Sequence, residues 1–236
     1  MEKTKLYIVR HTETIGNVEK RLTGRQDYQI TKKGYNEIRA LNKELENVKF
    51  DVAYSSKEKR TKKTIQDLAN ENKIEIKELE DLDEMYFGMY DGWKWEDINK
   101  IDSSIKKKQI ITNQITGIDG QENSSQVANR MYKCITNICK ENEGKTILIC
   151  SHGVAIESFL RYIAHKPWKK SRKQFCQKNV AINELEYNNN SFKILKLADT
   201  KYVEKYNKDK PNIIYKDKIF NKNATTNIFG KKIISS

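Results

Sequence analysis

Two short apolar runs that end abruptly in polar residues predict two buried strands, one near the start of the chain and one in its second half. Residues 6–9 read Leu-Tyr-Ile-Val and are followed by Arg10 and His11, whereas residues 146–151 read Thr-Ile-Leu-Ile-Cys-Ser and are followed by His152. Apolar runs of this length, rich in β-branched residues, are typical of buried strands. Because ligands of open α/β sheets bind beyond the carboxyl ends of the strands, we expect the two histidines to share one site.

Helical periodicity alternates with strand-like segments along most of the chain. Apolar residues three or four positions apart predict helices at about residues 32–46, 61–68, 127–138 and 154–163. Other apolar runs predict strands at residues 51–55, 73–76, 181–187 and 192–197, and a loop is expected at residues 82–93. This alternation predicts one three-layer α/β domain, in which a mostly parallel, mixed sheet is flanked by helices.

The pattern weakens in two segments. Between about residues 95 and 122 the periodicity is lost and residues 106–108 are three consecutive lysines, which we interpret as part of a small inserted cap. Residues 201–236 contain nine lysines and show no sustained periodicity. We therefore expect a domain over residues 1–199 and a basic, partly ordered C-terminal extension over residues 200–236.

The formal net charge of the 236-residue chain is +13. A basic field of this size attracts anions, whether phosphorylated metabolites or nucleic acid. The alternative is compositional bias, because lysine, asparagine and isoleucine are abundant throughout the chain. We favour compositional bias and do not expect nucleic acid as a partner, while a homodimer is compatible with the sequence.

Cysteine usage and hydropathy predict the cellular compartment of the protein. No stretch approaches the roughly 20 apolar residues that cross a bilayer, and no cysteines form a C-x-x-C pair. We therefore expect a cytoplasmic protein without a membrane anchor or a metal site. Its four cysteines are expected to be buried free thiols: Cys134, Cys139, Cys150 and Cys176.

Two arginines accompany the strand-end histidines. Arg10 directly precedes His11, and Arg60 follows the strand predicted at residues 51–55. Guanidinium groups bind phosphate or carboxylate through two parallel hydrogen bonds, so these residues predict an anion pocket. In the loop that follows, acidic residues such as Glu84 stand next to aromatic ones, where burial can favour a carboxyl group that donates a proton.

These residues resemble, in order along residues 5–197, the motifs of the histidine phosphatase superfamily, the phosphoglycerate mutase-like proteins. The usual signature of that family is R-H-G-x-T-x-x-N, and residues 10–17 read R-H-T-E-T-I-G-N. The remaining matches are Arg21, Thr23, Gly24, Asp27, Thr31, Gly34, Ser55, Ser56, Arg60, Thr64, Glu84, Phe87, Gly88, Asp91, Gly92, Gly120, Glu122, Arg130, Ser151, His152, Gly153 and Asn179.

The resemblance implies the phosphoglycerate mutase-like fold and phosphoryl transfer without a cofactor or a metal. His11 would attack phosphorus and become a phosphohistidine, while His152 would donate a hydrogen bond to the phosphoryl group. Glu84 would protonate the leaving oxygen and then help to activate water. The implied phosphate-binding residues are Arg10, Asn17, Arg60, Thr23, Gly24 and Gly153.

Two positions depart from the family pattern. Thr12 replaces the usual glycine after the nucleophile, and a β-branched residue there would be strained if the backbone needed a positive φ. Glu58 stands where leucine is common, which we interpret as weaker local packing rather than altered chemistry. Neither departure removes a catalytic group.

The choice of reaction depends on the cap and the acid loop. In the mutase branch, a cap with paired arginines and an E-R-H-Y-G loop is usual, whereas residues 84–88 read E-M-Y-F-G and residues 95–120 contain no arginine. We therefore expect a phosphomonoesterase acting on a small phosphorylated metabolite, with phosphoglycerate mutase as the alternative.

Two other classes of function are also considered. The first is a catalytically weak binding module that uses its basic surface, which Thr12 and the lysine-rich extension favour. The second is a serine or cysteine hydrolase built on Ser151 or Cys150, and it is disfavoured because no G-x-S-x-G motif surrounds either residue.

Overall fold

A six-stranded mixed sheet organises the computed structural model, which describes residues 2–101, 120–167 and 173–209. The strands lie in the order β3-β2-β4-β1-β5-β6. The four strands from β3 to β1 are parallel, and β5 and β6 run antiparallel at one edge. Their bounds are β1 (Thr4–Arg10), β2 (Val52–Ser55), β3 (Ile76–Glu78), β4 (Thr146–Ser151), β5 (Ile182–Asn188) and β6 (Ser191–Asp199).

Helices cover both faces of this sheet, as the alternating pattern predicts. They are α1 (Ile15–Val18), α2 (Lys32–Leu45), α3 (Lys59–Asn72), α4 (Trp95–Ile101), α5 (Ser124–Glu141), α6 (Gly153–Ile163) and α7 (Lys201–Asp209). The loop predicted at residues 82–93 contains a 3₁₀ turn at Gly88–Tyr90 and follows another at Glu80–Leu82. The three-layer α/β architecture is confirmed.

Alternation along the central strands produces two separate apolar cores. On one face, Leu6 and Ile8 of β1 pack with residues of α5 and α6, whereas Val9 on the other face packs with residues of α2 and α3. Successive strand residues point to opposite faces, so a strand that is buried on both faces must be apolar throughout. This explains why β1 and β4 are continuous apolar runs.

The register of β1 against β4 brings the two histidines together. Arg10 is paired with Ser151, and the backbone N–H of His11 donates to the Ser151 carbonyl at 2.9 Å. Both strands are parallel, so their carboxyl ends lie at the same edge of the sheet. The strand-end position predicted for His11 and His152 is therefore confirmed.

The third strand begins later than predicted. The sequence favours a strand at residues 73–76, but β3 begins at Ile76. Lys73 takes a left-handed conformation with φ 57°, and its N–H bonds to carbonyls at the end of α3. The chain uses residues 73 and 74 to end the helix, a role that apolar periodicity does not reveal.

The domain extends beyond the boundary predicted at residue 199. Residues 201–209 form α7, which packs against α2 and buries Tyr202. Tyr202 Oη also donates to the Val180 carbonyl at 2.6 Å. Residues 201–209 of the predicted extension therefore belong to the domain, and residues 210–236 lie outside the described residues.

Two other expectations concern segments and residues of this fold. Most of the predicted cap, including the lysines at 106–108, lies outside the described residues. Three of the four cysteines are buried as expected, but Cys176 is exposed, so its predicted burial is wrong. None of the described helices is both long and apolar enough to cross a membrane.

Candidate active site

His11 lies immediately after β1, and its ring is fixed by a short hydrogen bond. The residue is only 2% exposed, and its Nδ1 lies 2.7 Å from the carbonyl oxygen of Thr12. A carbonyl oxygen can only accept, so Nδ1 carries the hydrogen in this contact. In the neutral ring the lone pair is then on Nε2, which is the nitrogen available for attack.

The surroundings of His11 favour its neutral form. Burial lowers the pKa of His11 well below its usual value, and the charges of Arg60 and Arg10 and the ring of His152 lower it further. The contact with Thr12 acts in the opposite direction. A histidine in this setting is neutral at pH 7, as a nitrogen nucleophile must be.

Arg10 places an unsatisfied donor at the site. Its Nη1 donates to the Gln177 carbonyl at 2.7 Å, whereas its buried Nε has no partner within the described parts of the chain. A Cβ on Gly153 would lie 3.3 Å from this Nε, so the glycine allows a close approach between α6 and the guanidinium. Buried donors without partners are rare, and an arginine nitrogen of this kind is suited to an anion.

Both terminal nitrogens of Arg60 donate hydrogen bonds to protein groups. Arg60 is 2% exposed, and its Nη1 donates to the Gln26 carbonyl at 2.7 Å and to Asp27 Oδ1 at 3.1 Å. Asp27 also accepts from the backbone N–H of Lys59 at 2.8 Å, at the start of α3. The buried Nε of Arg60 has no partner in the ranges that the structure describes, so Arg60 resembles Arg10 in offering one unsatisfied donor.

His152 is completely buried, and both of its ring nitrogens contact protein groups. Nδ1 lies 3.0 Å from Arg60 Nη2, while Nε2 lies 2.8 Å from Ser56 Oγ and 3.0 Å from Glu58 Oε2. Its ring centroid is 5.2 Å from that of His11. The predicted hydrogen bond from His152 to a phosphoryl group would require the ring to exchange one of these partners.

Glu58 is a buried member of the site, which the sequence interpretation missed. It is 5% exposed, and hydrogen bonds from His152 and Ser56 together with the charge of Arg60 lower its pKa to about 2 in spite of burial. The carboxylate is therefore ionised at pH 7. Our interpretation of Glu58 as a packing substitution without chemical consequence is wrong, because its carboxylate contacts a site histidine.

A cleft of about 330 Å³ opens beside these buried groups. Its lining contains five of the residues predicted from the sequence: Arg10, Asn17, Thr23, Glu84 and Gly153. Asn17 Oδ1 accepts from Thr14 N at 3.0 Å and from Asn179 Nδ2 at 3.3 Å. These donors fix the amide so that its Nδ2 is the group left for a ligand.

Gly24 contributes to the site through Arg60 rather than through the cleft wall. Its carbonyl accepts from Arg60 Nη2 at 2.7 Å, and its N–H donates to Asp91 Oδ1 at 2.6 Å. A Cβ at this position would lie 2.6 Å from the same Asp91 oxygen. The glycine is therefore required by close packing.

Glu84 is anchored at the N-terminus of α6. Its Oε1 accepts from the backbone N–H groups of Met85 and Ala155, each at 2.9 Å, and its Oε2 accepts from that of Val154 at 3.1 Å. The first-turn N–H groups of a helix are natural partners for a carboxylate. The acid loop is thus held against the same helix that carries Gly153.

The neighbouring carboxyl group of Asp83 has a different environment. Burial, with Glu58 and Glu80 nearby, raises its pKa to about 6, although the N–H of Lys57 donates to its Oδ1 at 3.0 Å. Asp83 lines an adjacent cleft rather than the one beside Arg10. The motif spacing favours Glu84 over Asp83 as the site acid. In the structure Glu84, and not Asp83, lines the cleft beside Arg10.

Thr12 fits its position without backbone strain. It is not among the described non-glycine residues with positive φ, and its side chain turns away to donate to the Gly34 carbonyl at 2.7 Å. Its Oγ1 also lies 3.0 Å from Glu37 Oε2. The strain considered from the sequence is therefore absent, because the backbone at Thr12 does not take a positive φ. The hydroxyl also has two polar neighbours in this loop.

Several supporting residues could not be assigned a role from the sequence. Asp27 and Asn179 match the family motifs, but the sequence does not show what they contact. Gln177 accepts from Arg10 through its backbone carbonyl, so its side-chain type does not indicate this role. Within residues 2–101, 120–167 and 173–209, no group of three or more potential metal ligands occurs.

Comparisons with known proteins identify the family to which the chain belongs. A family model, the histidine phosphatase superfamily (branch 1), matches residues 6–200. A relative named probable phosphoglycerate mutase GpmB, from Salmonella choleraesuis (strain SC-B67), is 24% identical over 183 residues, covering 77% of this chain and 84% of the relative.

Solved structures share the fold. Bacillus stearothermophilus YhfR superposes with a TM-score of 0.79 at 26% identity, covering 85% of this chain and 99% of that chain. Phosphoserine phosphatase from Entamoeba histolytica, solved in complex with 3-phosphoglyceric acid, gives a TM-score of 0.72 at 23% identity, with coverage of 85% and 99%. The architecture is that of the phosphoglycerate mutase-like proteins, and the family model spans most of the chain, so this protein belongs to the histidine phosphatase superfamily.

Proposed function

We propose that this protein is a phosphomonoesterase that hydrolyses a small phosphorylated metabolite through a phosphohistidine on His11. The observation that carries the proposal is the state of His11, whose hydrogen on Nδ1 is committed to Thr12 and whose Nε2 keeps its lone pair. The unsatisfied Nε atoms of Arg10 and Arg60 support it, because they are donors suited to phosphoryl oxygens.

In the first step, His11 Nε2 forms a bond to phosphorus and the bond from phosphorus to the ester oxygen breaks. Glu84 gives a proton to the leaving oxygen. In the second step, water attacks the phosphohistidine, Glu84 takes a proton from it, and the nitrogen-to-phosphorus bond breaks to release phosphate. Dividing the reaction in this way replaces one difficult displacement with two easier ones.

The remaining site residues stabilise charge and orient the phosphoryl group. Arg10 and Arg60 neutralise the negative charge that spreads over the phosphoryl oxygens in the transition state, where positioning and electrostatics dominate catalysis. Asn17, Thr23 and the N-terminus of α6 at Gly153 complete the binding of these oxygens. Gly24 acts by holding Arg60 in place. His152 would donate to the same group after releasing a protein partner.

Phosphoglycerate mutase activity is the alternative within the same chemistry. The relative from Salmonella choleraesuis carries that name. Hydrolysis is favoured because the acid loop reads E-M-Y-F-G and residues 95–120 contain no arginine, whereas a mutase must clamp a carboxylated substrate. A small phosphorylated substrate is supported by phosphoserine phosphatase from Entamoeba histolytica, which has the same fold and was solved in complex with 3-phosphoglyceric acid.

The first experiment compares phosphate release by the wild type and by His11→Ala on a panel of phosphorylated metabolites and p-nitrophenyl phosphate. We expect loss of activity by a factor of roughly 10³ or more, because the nucleophile is removed. His165→Ala is the matched control, since His165 is exposed and follows α6 outside the site. Rapid acid-free quenching should trap a phosphate on His11, detected by mass spectrometry. Wild-type turnover by His11→Ala would reject the proposal.

A second measurement separates the phosphatase from the mutase. Both 2- and 3-phosphoglycerate are supplied with and without 2,3-bisphosphoglycerate, and isomer interconversion is followed beside free phosphate. We expect phosphate release to be faster and to need no primer. Interconversion that outpaces phosphate release and depends on the primer would establish the mutase instead.

A further inference from the structure

We infer that Glu58 is a positioning residue that holds the His152 ring in the orientation in which it accepts from Arg60 and that, through this ring, restrains the guanidinium of Arg60. The inference goes beyond the proposed function and rests on it only for the kinetic readout. It is built on three groups that lie within hydrogen-bond distance of one another in a buried row: Glu58, His152 and Arg60.

The direction of each hydrogen bond follows from the chemistry of the arginine. Arg60 Nη2 can only donate, so the His152 Nδ1 that lies 3.0 Å away must accept with its lone pair. The ring hydrogen is then on Nε2, which donates toward Glu58 Oε2 at 3.0 Å and Ser56 Oγ at 2.8 Å. The reverse tautomer would place two donors against each other at Arg60.

Glu58 supplies the charge that makes this arrangement stable. His152 is 0% exposed and Arg60 is 2% exposed, so water does not screen the guanidinium on this side. The Glu58 carboxylate, 5% exposed, provides an anion at the far end of the row. The neutral His152 ring accepts from the Arg60 cation and donates to the Glu58 anion. With leucine at position 58, the Nε2 hydrogen would have only Ser56 as an acceptor.

The row controls which donors Arg60 presents to a ligand. Arg60 Nη1 is held by Gln26 and Asp27, and Nη2 by Gly24 and His152, so the planar group cannot rotate and Nε keeps one direction. Loss of the contact with His152 removes one of these four restraints. Glu58 therefore affects phosphate binding without touching the substrate.

The tautomer can be read directly by ¹⁵N NMR on protein with labelled histidine. The chain has three histidines, so variants at His11 and His165 assign the His152 signals. We expect the wild type at pH 7 to show hydrogen on Nε2 and a lone pair on Nδ1. A wild-type His152 with its hydrogen on Nδ1 would overturn the inference, whether or not the protein proves to be a phosphatase.

Two substitutions separate hydrogen bonding from charge. The amide oxygen of Glu58→Gln can still accept from Nε2, so the tautomer should persist while the pKa of His152 falls. The charged and titratable groups that face His152 are Arg60, Glu58, Glu84 and His11, and only the Glu58 charge changes. Glu58→Leu should keep the hydrogen on Nε2, because Arg60 still donates to Nδ1, but it removes one of the two groups that restrain the ring at Nε2. Its kcat/KM should therefore fall roughly tenfold or more, mainly through KM.

The matched control is Glu80→Gln, which removes an exposed carboxylate paired with Lys57, the residue before Glu58. It should leave the His152 spectrum and the kinetics at wild-type values. If Glu58→Leu fails to fold, Glu58→Gln still decides, because an unchanged His152 pKa in that variant would refute the role of the carboxylate. A wild-type KM in a folded Glu58→Leu would also refute it.

Discussion

At the scale of single residues, the contact between His11 Nδ1 and the Thr12 carbonyl selects the nitrogen that can react. The backbone carbonyl comes from the residue that departs from the family signature. This contact survives the departure because it uses the main chain, while the Thr12 hydroxyl bonds to Gly34 and Glu37 on the other side. The side chain at position 12 can therefore vary without changing the tautomer of His11.

Cysteine reactivity gives a test of the site cleft at this scale. Cys134 and Cys139 are buried with pKa values raised to about 12, burial also raises the pKa of Cys150, and exposed Cys176 lines the cleft beside Arg10. We expect one thiol per native chain to react rapidly with Ellman's reagent and four to react after unfolding.

Cys176→Ser should abolish the rapid phase. Millimolar phosphate or vanadate should slow that phase in the wild type, because an anion at Arg10 would occupy the same cleft. Rapid reaction of two or more thiols, or of the Cys176→Ser protein, would contradict the burial described for the other three cysteines.

The sequence identified the groups with distinctive chemistry but not their supporting partners. His11, Arg10, Arg60 and Glu84 could be found because strand ends and motif spacing mark them. Glu58 was misjudged, because the partner of a buried carboxylate depends on a contact with a residue 94 positions away. Partners that act through backbone carbonyls leave no trace in the side-chain pattern.

At the scale of elements, periodicity predicted most helices and strands within a few residues. The predicted helix at residues 32–46 is α2 (Lys32–Leu45), and the stripe at residues 127–138 lies within α5 (Ser124–Glu141). The errors occur where a tertiary contact decides. Helix α7 is mostly polar and is ordered by a few apolar residues against α2, too few to predict a helix from a lysine-rich segment.

Helix α7 should contribute measurably to stability through Tyr202. The side chain is 6% exposed and its hydroxyl donates to the Val180 carbonyl. Val180 is a β-branched residue with φ 51°, a conformation that persists only with external support. Tyr202→Phe should lower the free energy of unfolding by about 1 kcal/mol, and Tyr202→Ala by about 3 kcal/mol.

Urea denaturation measures both values. Tyr35→Ala is the control, because Tyr35 on α2 is 39% exposed and its removal should cost less than about 1 kcal/mol. A Tyr202→Ala protein as stable as the wild type would show that α7 is not part of the folded domain.

At the scale of the whole molecule, two buried carboxyl groups make the stability of the fold depend on pH in opposite directions. The pKa of Glu58 is lowered to about 2, so its contribution to stability is present above pH 4.5 and is lost as pH falls toward 2. The pKa of Asp83 is raised from 3.8 to about 6, so its contribution is present below pH 3.8 and is lost as pH rises through 6. Between pH 4.5 and 7.5 only the second of these changes.

Asp83→Asn should therefore stabilise the protein at neutral pH. The asparagine oxygen can still accept from Lys57 N, and position 83 no longer carries a buried charge at neutral pH. We expect the gain to be larger at pH 7.5 than at pH 4.5 by about 1 to 2 kcal/mol, and to vanish only below pH 3.8, where the carboxyl is protonated in both states. Denaturation curves of wild type and variant at both pH values provide the difference, in which the histidine contributions cancel. Asp81→Asn, at an exposed neighbour, should show no such trend, and a pH-independent difference for Asp83→Asn would contradict the assignment.

The central position of β1 has a consequence for how the enzyme is made. This strand precedes the other described strands in the sequence, yet its two neighbours are β4 and β5, where Leu6 is paired with Ile147 on one side and Leu185 on the other. Pairings this distant in sequence form slowly, because loop closure costs entropy before the contacts compensate for it. His11 therefore reaches its place beside His152 only when β1 has paired with β4, so recovery of any activity on refolding should follow closure of the whole sheet and not the appearance of helices.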